Sequence, residues 1–159
     1  MACVRRDGRT GRPACAARRV ALTARYLVDT SAAARMTYPR VKQLVGPIID
    51  SGAVATIAVL DYEAFYSARS PAEFARVRHR RKVAYEYLPT DDEHWQRALD
   101  AQLRLAQSGR HRAVGIADLL TGALAEAHRL TVLHYDSDFD AAASVLDFEH
   151  RWVAEPGTL

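Results

Sequence analysis

The chain has no run approaching the roughly 18 consecutive apolar residues that a membrane-spanning helix needs, so no helical membrane segment is expected. Cysteine is scarce. Cys3 and Cys15 both lie near the N-terminus, outside every periodic segment, which argues against a disulfide framework or a cysteine metal site and makes a reducing cytoplasm the expected compartment. The six histidines, at 79, 94, 111, 128, 134 and 150, show no metal-ligand spacing. Acids are nearly missing from the first 25 residues, where seven arginines meet only Asp7, a net charge of +6 in a chain whose total is +3. The remainder is therefore mildly acidic, and the pI near 9.1 belongs to the tail. An overall basic balance is no argument for nucleic-acid binding here; local chemistry has to make it.

The 159 residues suit one domain with a single sizeable core. Residues 1–24, rich in Arg, Ala and Gly and without amphipathic period, read as a disordered extension preceding a domain over 25–159. The apolar core Val20-Ala21-Leu22 is too short for a signal peptide, and the absence of Ser argues against an organellar transit peptide. A start of translation at Val20 or Leu22 is a second reading of the same stretch.

Periodicity predicts strands alternating with helices. Tyr26–Val28 reads as a buried strand, followed by a short helix to about Met36 and a helix from Pro39 to about Ser51 with the stripe Val41, Leu44, Val45 and Ile48. A second strand is expected over Ala53–Ile57, helices over 58–68 and 71–85, and an edge strand over Glu86–Leu88. A long helix capped by Thr90 or Asp91 should run to Ser108, turning Trp95, Leu99, Leu103 and Ala106 to the core. A helix over 115–129, a strand over 131–135, a helix from Ser137 and a last strand at Trp152-Val153 complete the pattern. It predicts a three-layer α/β/α fold with a mainly parallel sheet.

The candidate chemistry lies in carboxylates. Asp29 ends the first strand and is followed by Thr30 and Ser31, which by itself reads as a helix N-cap. Asp136 and Asp138 follow the strand Thr131–Tyr135 in the same way. Asp118 falls in the first turn of its helix, where the macrodipole favours an acid, but its helical neighbours Thr121, Gly122 and Ala125 are small, as at a packed junction. Glu63 sits among Val59, Leu60, Tyr62 and Tyr66, and is either exposed or, if buried, in need of a cation. Asp61, on another face, reads as solvated or as a salt-bridge partner. The intervals of 34, 55 and 18 residues from Asp29 through Glu63 and Asp118 to Asp136 make no local motif. Strand ends and helix starts of a parallel sheet share one edge, however, and ligands bind there. Carboxylates without His or Cys call for a hard cation such as Mg²⁺ or Mn²⁺, and the reaction such ions support beside phosphates is phosphodiester hydrolysis.

The segments 26–32 (YLVDTSA), 59–65 (VLDYEAF), 117–126 (ADLLTGALAE) and 134–140 (HYDSDFD) together resemble, in order and spacing, the motifs of PIN-domain ribonucleases, in particular the VapC toxins of bacterial, chiefly actinobacterial, toxin–antitoxin modules. The resemblance covers about 25–157. It implies that Asp29, Glu63, Asp118 and Asp136 form an acidic site for Mg²⁺ or Mn²⁺, with Asp138 as an outer acid and Thr30 or Ser31 in support. It further implies a metal-dependent endoribonuclease acting on structured RNA, often transfer or ribosomal RNA, a homodimer, and a VapB-type antitoxin placing its C-terminal segment across the site. Arg112 precedes the Asp118 helix as an arginine often does in this group, either to contact substrate phosphate, to balance the acidic cluster, or as an exposed loop residue. Thr121-Gly122 departs from the two small apolar residues common there.

Other readings fit less well. Asp136-x-Asp138-x-Asp140 as a calcium loop has Ala141 where Gly is needed and Asp147 where Glu is needed. As a haloacid-dehalogenase pair it lacks a downstream lysine. The basic stretch Arg76–Lys82 reads as a solvated helix face or an RNA contact, and Trp95 and Trp152 as core aromatics. The alternative function is an inactive PIN-like module that only binds protein or RNA.

Overall fold

The computed structural model describes residues 22–159; residues 1–21, most of the expected extension, lie outside the described residues. Leu22, Thr23 and Ala24 lead into the sheet, and the Thr23 and Ala24 backbone N–H groups and the Thr23 hydroxyl all donate to Glu86 Oε2 at 2.9–3.1 Å.

The elements are β1 (Tyr26–Val28), α1 (Thr30–Ala34) with a 3₁₀ turn at Arg35–Thr37, α2 (Pro39–Asp50), β2 (Val54–Thr56), α3 (Ala58–Tyr66), α4 (Pro71–Ala84), β3 (Glu86–Tyr87), α5 (Asp92–Gln107), α6 (Ile116–His128), β4 (Thr131–His134), α7 (Asp138–Ala143) and β5 (Glu149–Trp152). Their ends follow local chemistry. Pro39 and Pro71 open α2 and α4, where a missing N–H costs nothing. Asp91 and His94 form a reciprocal cap on α5. α6 stops at Arg129, which takes the left-handed conformation at φ 54°. The last strand begins earlier than expected, at Glu149.

The five strands are all parallel, in the order β3-β2-β1-β4-β5. Alternation along each strand divides the interior in two. Leu27, Ala55 and Val132 face α3, α5, α6 and α7, joined by Leu60, Leu105, Leu119, Leu124 and Phe139. Val28, Val54 and Leu133 face α1 and α2, against Ala32, Val41 and Val45. This is the three-layer α/β/α architecture expected from the sequence.

One core assignment is corrected. Trp95, Leu99 and Leu103 are 42%, 47% and 61% exposed, and Ala106 is exposed too; the buried face of α5 is Ala98, Ala101 and Leu105. Seven consecutive residues of α6, Leu119–Ala125, are buried, and a helix so enclosed is approached most closely through small side chains. Trp152 is half-buried and donates from Nε1 to Asp140 Oδ1 at 3.1 Å, so it is only partly a core aromatic.

β1 has β2 on one side and β4 on the other, and chain order reverses between β1 and β4. Their carboxyl ends therefore open the crevice where parallel α/β sheets bind ligands.

Candidate active site

Asp29 leaves β1 at that crevice. Its N–H continues the ladder to the Leu133 carbonyl at 2.9 Å, and its side chain, 4% exposed, caps α1 by accepting the Ser31 N–H at 2.8 Å. The cap and the candidate ligand are one residue. The Ser31 hydroxyl donates to the same carboxylate and accepts the Tyr135 N–H at 2.9 Å. Thr30 Oγ1 donates to Glu63 Oε2 at 2.9 Å, drawing the half-buried α3 carboxylate to the end of β1.

Across the crevice, Asp136 Oδ1 accepts the Asp138 N–H at 3.0 Å, folding the turn after β4 into the start of α7. Asp138 also accepts from the Gly115 N–H; burial first, then the Asp136 charge, pushes its carboxyl above the usual range against that bond. Asp118, in the first turn of α6, is pushed up to about 7, by burial first and then by Asp29, Asp136, Asp138 and Glu63 in that order. The fold thus brings the other four acids within electrostatic reach of Asp118, although the five span more than a hundred residues of sequence.

Three residues of the site escaped the sequence reading. Gly115 caps α6, and a Cβ there would meet Asp118 Oδ2 at 3.1 Å, so glycine leaves the room in which the acid turns. Its only sequence signal is a glycine three residues before an acid. Arg35 stands 4.0 Å over the Tyr135 ring and donates to the Ser31 carbonyl at 2.9 Å, bracing the α1 side of the crevice. Arg81, read as part of an exposed basic run, is buried: its Nε meets Asp61 Oδ1 at 2.6 Å and its NH2 meets Thr56 Oγ1 at 2.7 Å. That ion pair fixes α4 against the β2 end and α3, the helix that carries Glu63. Arg76, Arg78, Arg80 and Lys82 remain exposed. Arg112 is exposed in the turn before α6, and among the described residues no hydrogen bond or ion pair ties it to the acids.

An open groove of about 720 Å³ adjoins Glu63, running from Thr30 and Glu63 past Ala33, Met36, Val77 and Tyr85 to His79 and Arg80. The donor set at the crevice fits a hard divalent cation. It offers only carboxylate and hydroxyl oxygens, and a positive charge there would offset the burial and the carboxylate repulsion that push the Asp118 carboxyl up. Asp29, Glu63, Asp118 and Asp136 are the candidate ligands for such an ion, with Asp138 as a fifth candidate.

The PIN domain family model matches residues 26–145. Ribonuclease VapC21 of Mycobacterium tuberculosis is 39% identical over 137 residues, covering 86% of this chain and 99% of the relative. Ribonuclease VapC51 of the same organism is 38% identical over 135 residues, covering 85% and 97%. Among solved structures, DNA-bound VapBC from Salmonella typhimurium superposes with a TM-score of 0.67 at 13% identity, covering 82% of this chain and 99% of that one. VapBC-5, a toxin–antitoxin system of M. tuberculosis, gives 0.52 at 24% identity, covering 79% and 97%. At those identities the structures speak to the fold, whereas the family match and the relatives spanning nearly the whole domain fix its membership: the chain belongs to the PIN-domain family, among its VapC ribonucleases.

Proposed function

We propose that this chain is a Mg²⁺- or Mn²⁺-dependent endoribonuclease that hydrolyses RNA phosphodiester bonds and serves as the toxin of a toxin–antitoxin pair in the cytoplasm. The observation that carries the reading is the gathering of Asp29, Glu63, Asp136 and Asp138 around Asp118 on the ligand-binding edge of a parallel sheet, where burial first and then those four charges push the Asp118 carboxyl up to about 7. Bound there, the cation would neutralise phosphate charge and lower the pKa of a water. The chain's own residues prepare that edge. Ser31 holds the Asp29 carboxylate, Thr30 holds Glu63, and the Asp136 turn brings Asp138 to the Gly115 N–H. A cation held there would favour the ionised Asp118 carboxylate over the protonated form that burial and the neighbouring acids favour. Arg112 and the exposed basic side chains of α4 are available to RNA phosphates.

The VapC relatives are named ribonucleases, and the similar solved structures are of VapBC assemblies. A VapB-type antitoxin is accordingly the partner, and the groove beside Glu63 accommodates a segment laid across the site. The protein acts as a homodimer. An inactive binding module is disfavoured, since acids that repel one another this strongly destabilise a fold that makes no use of them.

Cleavage of total cellular RNA with Mg²⁺ or Mn²⁺, wild type against Asp29→Ala and Asp118→Ala, tests the proposal. Cleavage by wild type alone is expected. Equal activity in the variants would remove these acids from the mechanism, and no cleavage by wild type would favour the binding module.

A further inference from the structure

A second set of ligating side chains lies beside the acidic edge. His134 at the end of β4, His150 in β5 and Asp140 in α7 each place a ligating atom within 4.8 Å of the other two. Their meeting follows from register. His134 pairs with Trp152 across the parallel β4–β5 ladder, so His150, two residues before Trp152, projects from the same face, and α7 lays Asp140 over it. His134 Nε2 is 3.0 Å from His150 Nδ1, which is 3.6 Å from Asp140 Oδ1.

We propose that His134, His150 and Asp140 form a second metal site, for a first-row cation of the Zn²⁺ class, distinct from the oxygen-only site of the five acids. Two imidazoles and one carboxylate select Zn²⁺, Co²⁺, Ni²⁺ or Cu²⁺ over Mg²⁺. Zinc bonds of about 2.0–2.2 Å set neighbouring tetrahedral ligand atoms about 3.4 Å apart, and the observed 3.0 and 3.6 Å lie on either side of that value. His134 is buried, His150 intermediate and Asp140 exposed, which gives an entry path and an open fourth position.

The other nitrogen of His134 links this site to the acids. Nδ1 accepts the Asp136 N–H at 3.2 Å, so the single proton of the neutral ring sits on Nε2 and is donated to His150 Nδ1. A cation taking the Nε2 lone pair moves that proton to Nδ1, which then faces the Asp136 N–H as a second donor. The Asp136 peptide must turn away. Loading the histidine site therefore displaces one of the acids of the nuclease edge, and a transition metal here acts as a brake.

Co²⁺ titration of the full-length protein in excess Mg²⁺ tests the site, since a four-coordinate nitrogen-containing site absorbs strongly in the visible and a six-coordinate oxygen site weakly. A strong band saturating at one equivalent is expected, lost in His150→Gln, with Co²⁺ binding at least about tenfold weaker in Asp140→Asn. Asp140 is exposed, so that second variant keeps the test valid should His150→Gln fold poorly. No band in wild type, or equal bands in both variants, overturns the site. The amide resonance of Asp136 should shift when Zn²⁺ is added to wild type and stay in place in His150→Gln; a bound metal with an unmoved Asp136 signal overturns the link to the acids.

Discussion

Ser31 joins the ends of two strands: its hydroxyl accepts the Tyr135 N–H at 2.9 Å and donates to Asp29. One side chain thus closes the crevice between β1 and β4 and aims the first carboxylate into it. Ser31→Ala deletes both bonds and leaves the Tyr135 N–H without that acceptor. The variant should lose about 1–3 kcal/mol by urea unfolding and bind Mn²⁺ more weakly by calorimetry. Unchanged stability and affinity would show that the hydroxyl positions nothing.

Asp118 fixes the sign of the pH dependence. Its carboxyl is raised from 3.8 to about 7 in the folded chain without metal, so the folded state holds a proton that the unfolded state has released. The group's contribution to stability is complete below its unfolded value and is lost as pH rises through the folded one. Urea midpoints in EDTA should therefore fall between pH 3.8 and about 7 by more than in Asp118→Asn. Mg²⁺ should flatten the slope, because it removes the reason for retaining the proton. Identical slopes in the two proteins would exclude Asp118 as the source.

The buried pair Arg81–Asp61 makes a different demand. Removing Arg81 leaves Asp61 and Thr56 facing each other without a cation. Arg81→Met should cost about 3 kcal/mol, at the lower end for a broken buried pair because Asp61 keeps some solvent. Adding Asp61→Leu should recover much of the loss. Urea unfolding of the single and double variants checks this, and equal losses in both would mean that the charge pair itself contributes little.

The sequence carried most of the architecture because its strands are short, apolar and bounded, and because Val41 and Val45 mark the inner face of α2 plainly. The convergence of Asp29, Glu63, Asp118 and Asp136 was legible only through the shared edge of a parallel sheet, since nothing local links them. Side-chain size misled the reading of α5: Trp95, Leu99 and Leu103 make the larger apolar stripe, but close contact with the enclosed α6 selects Ala98 and Ala101. Arg81 was hidden inside a basic run whose other members do face solvent. The His134–His150 contact depends on β4–β5 register, which no periodicity encodes.

Thr121 offers the reverse of these losses. It is fully buried in α6, and its Oγ1 has no hydrogen-bond partner among the described residues. Its neighbour Gly122 shows how tight this helix is, since a Cβ there would meet Leu146 and Phe148 at 3.0 Å. Added volume is therefore excluded, but a change of chemistry at constant shape is not. Thr121→Val replaces an unsatisfied hydroxyl with a methyl group of similar size, and the two residues have similar helix propensity. The variant should gain about 1 kcal/mol in urea unfolding, with RNA cleavage unchanged. A loss of stability would mean that the hydroxyl finds an acceptor in solution.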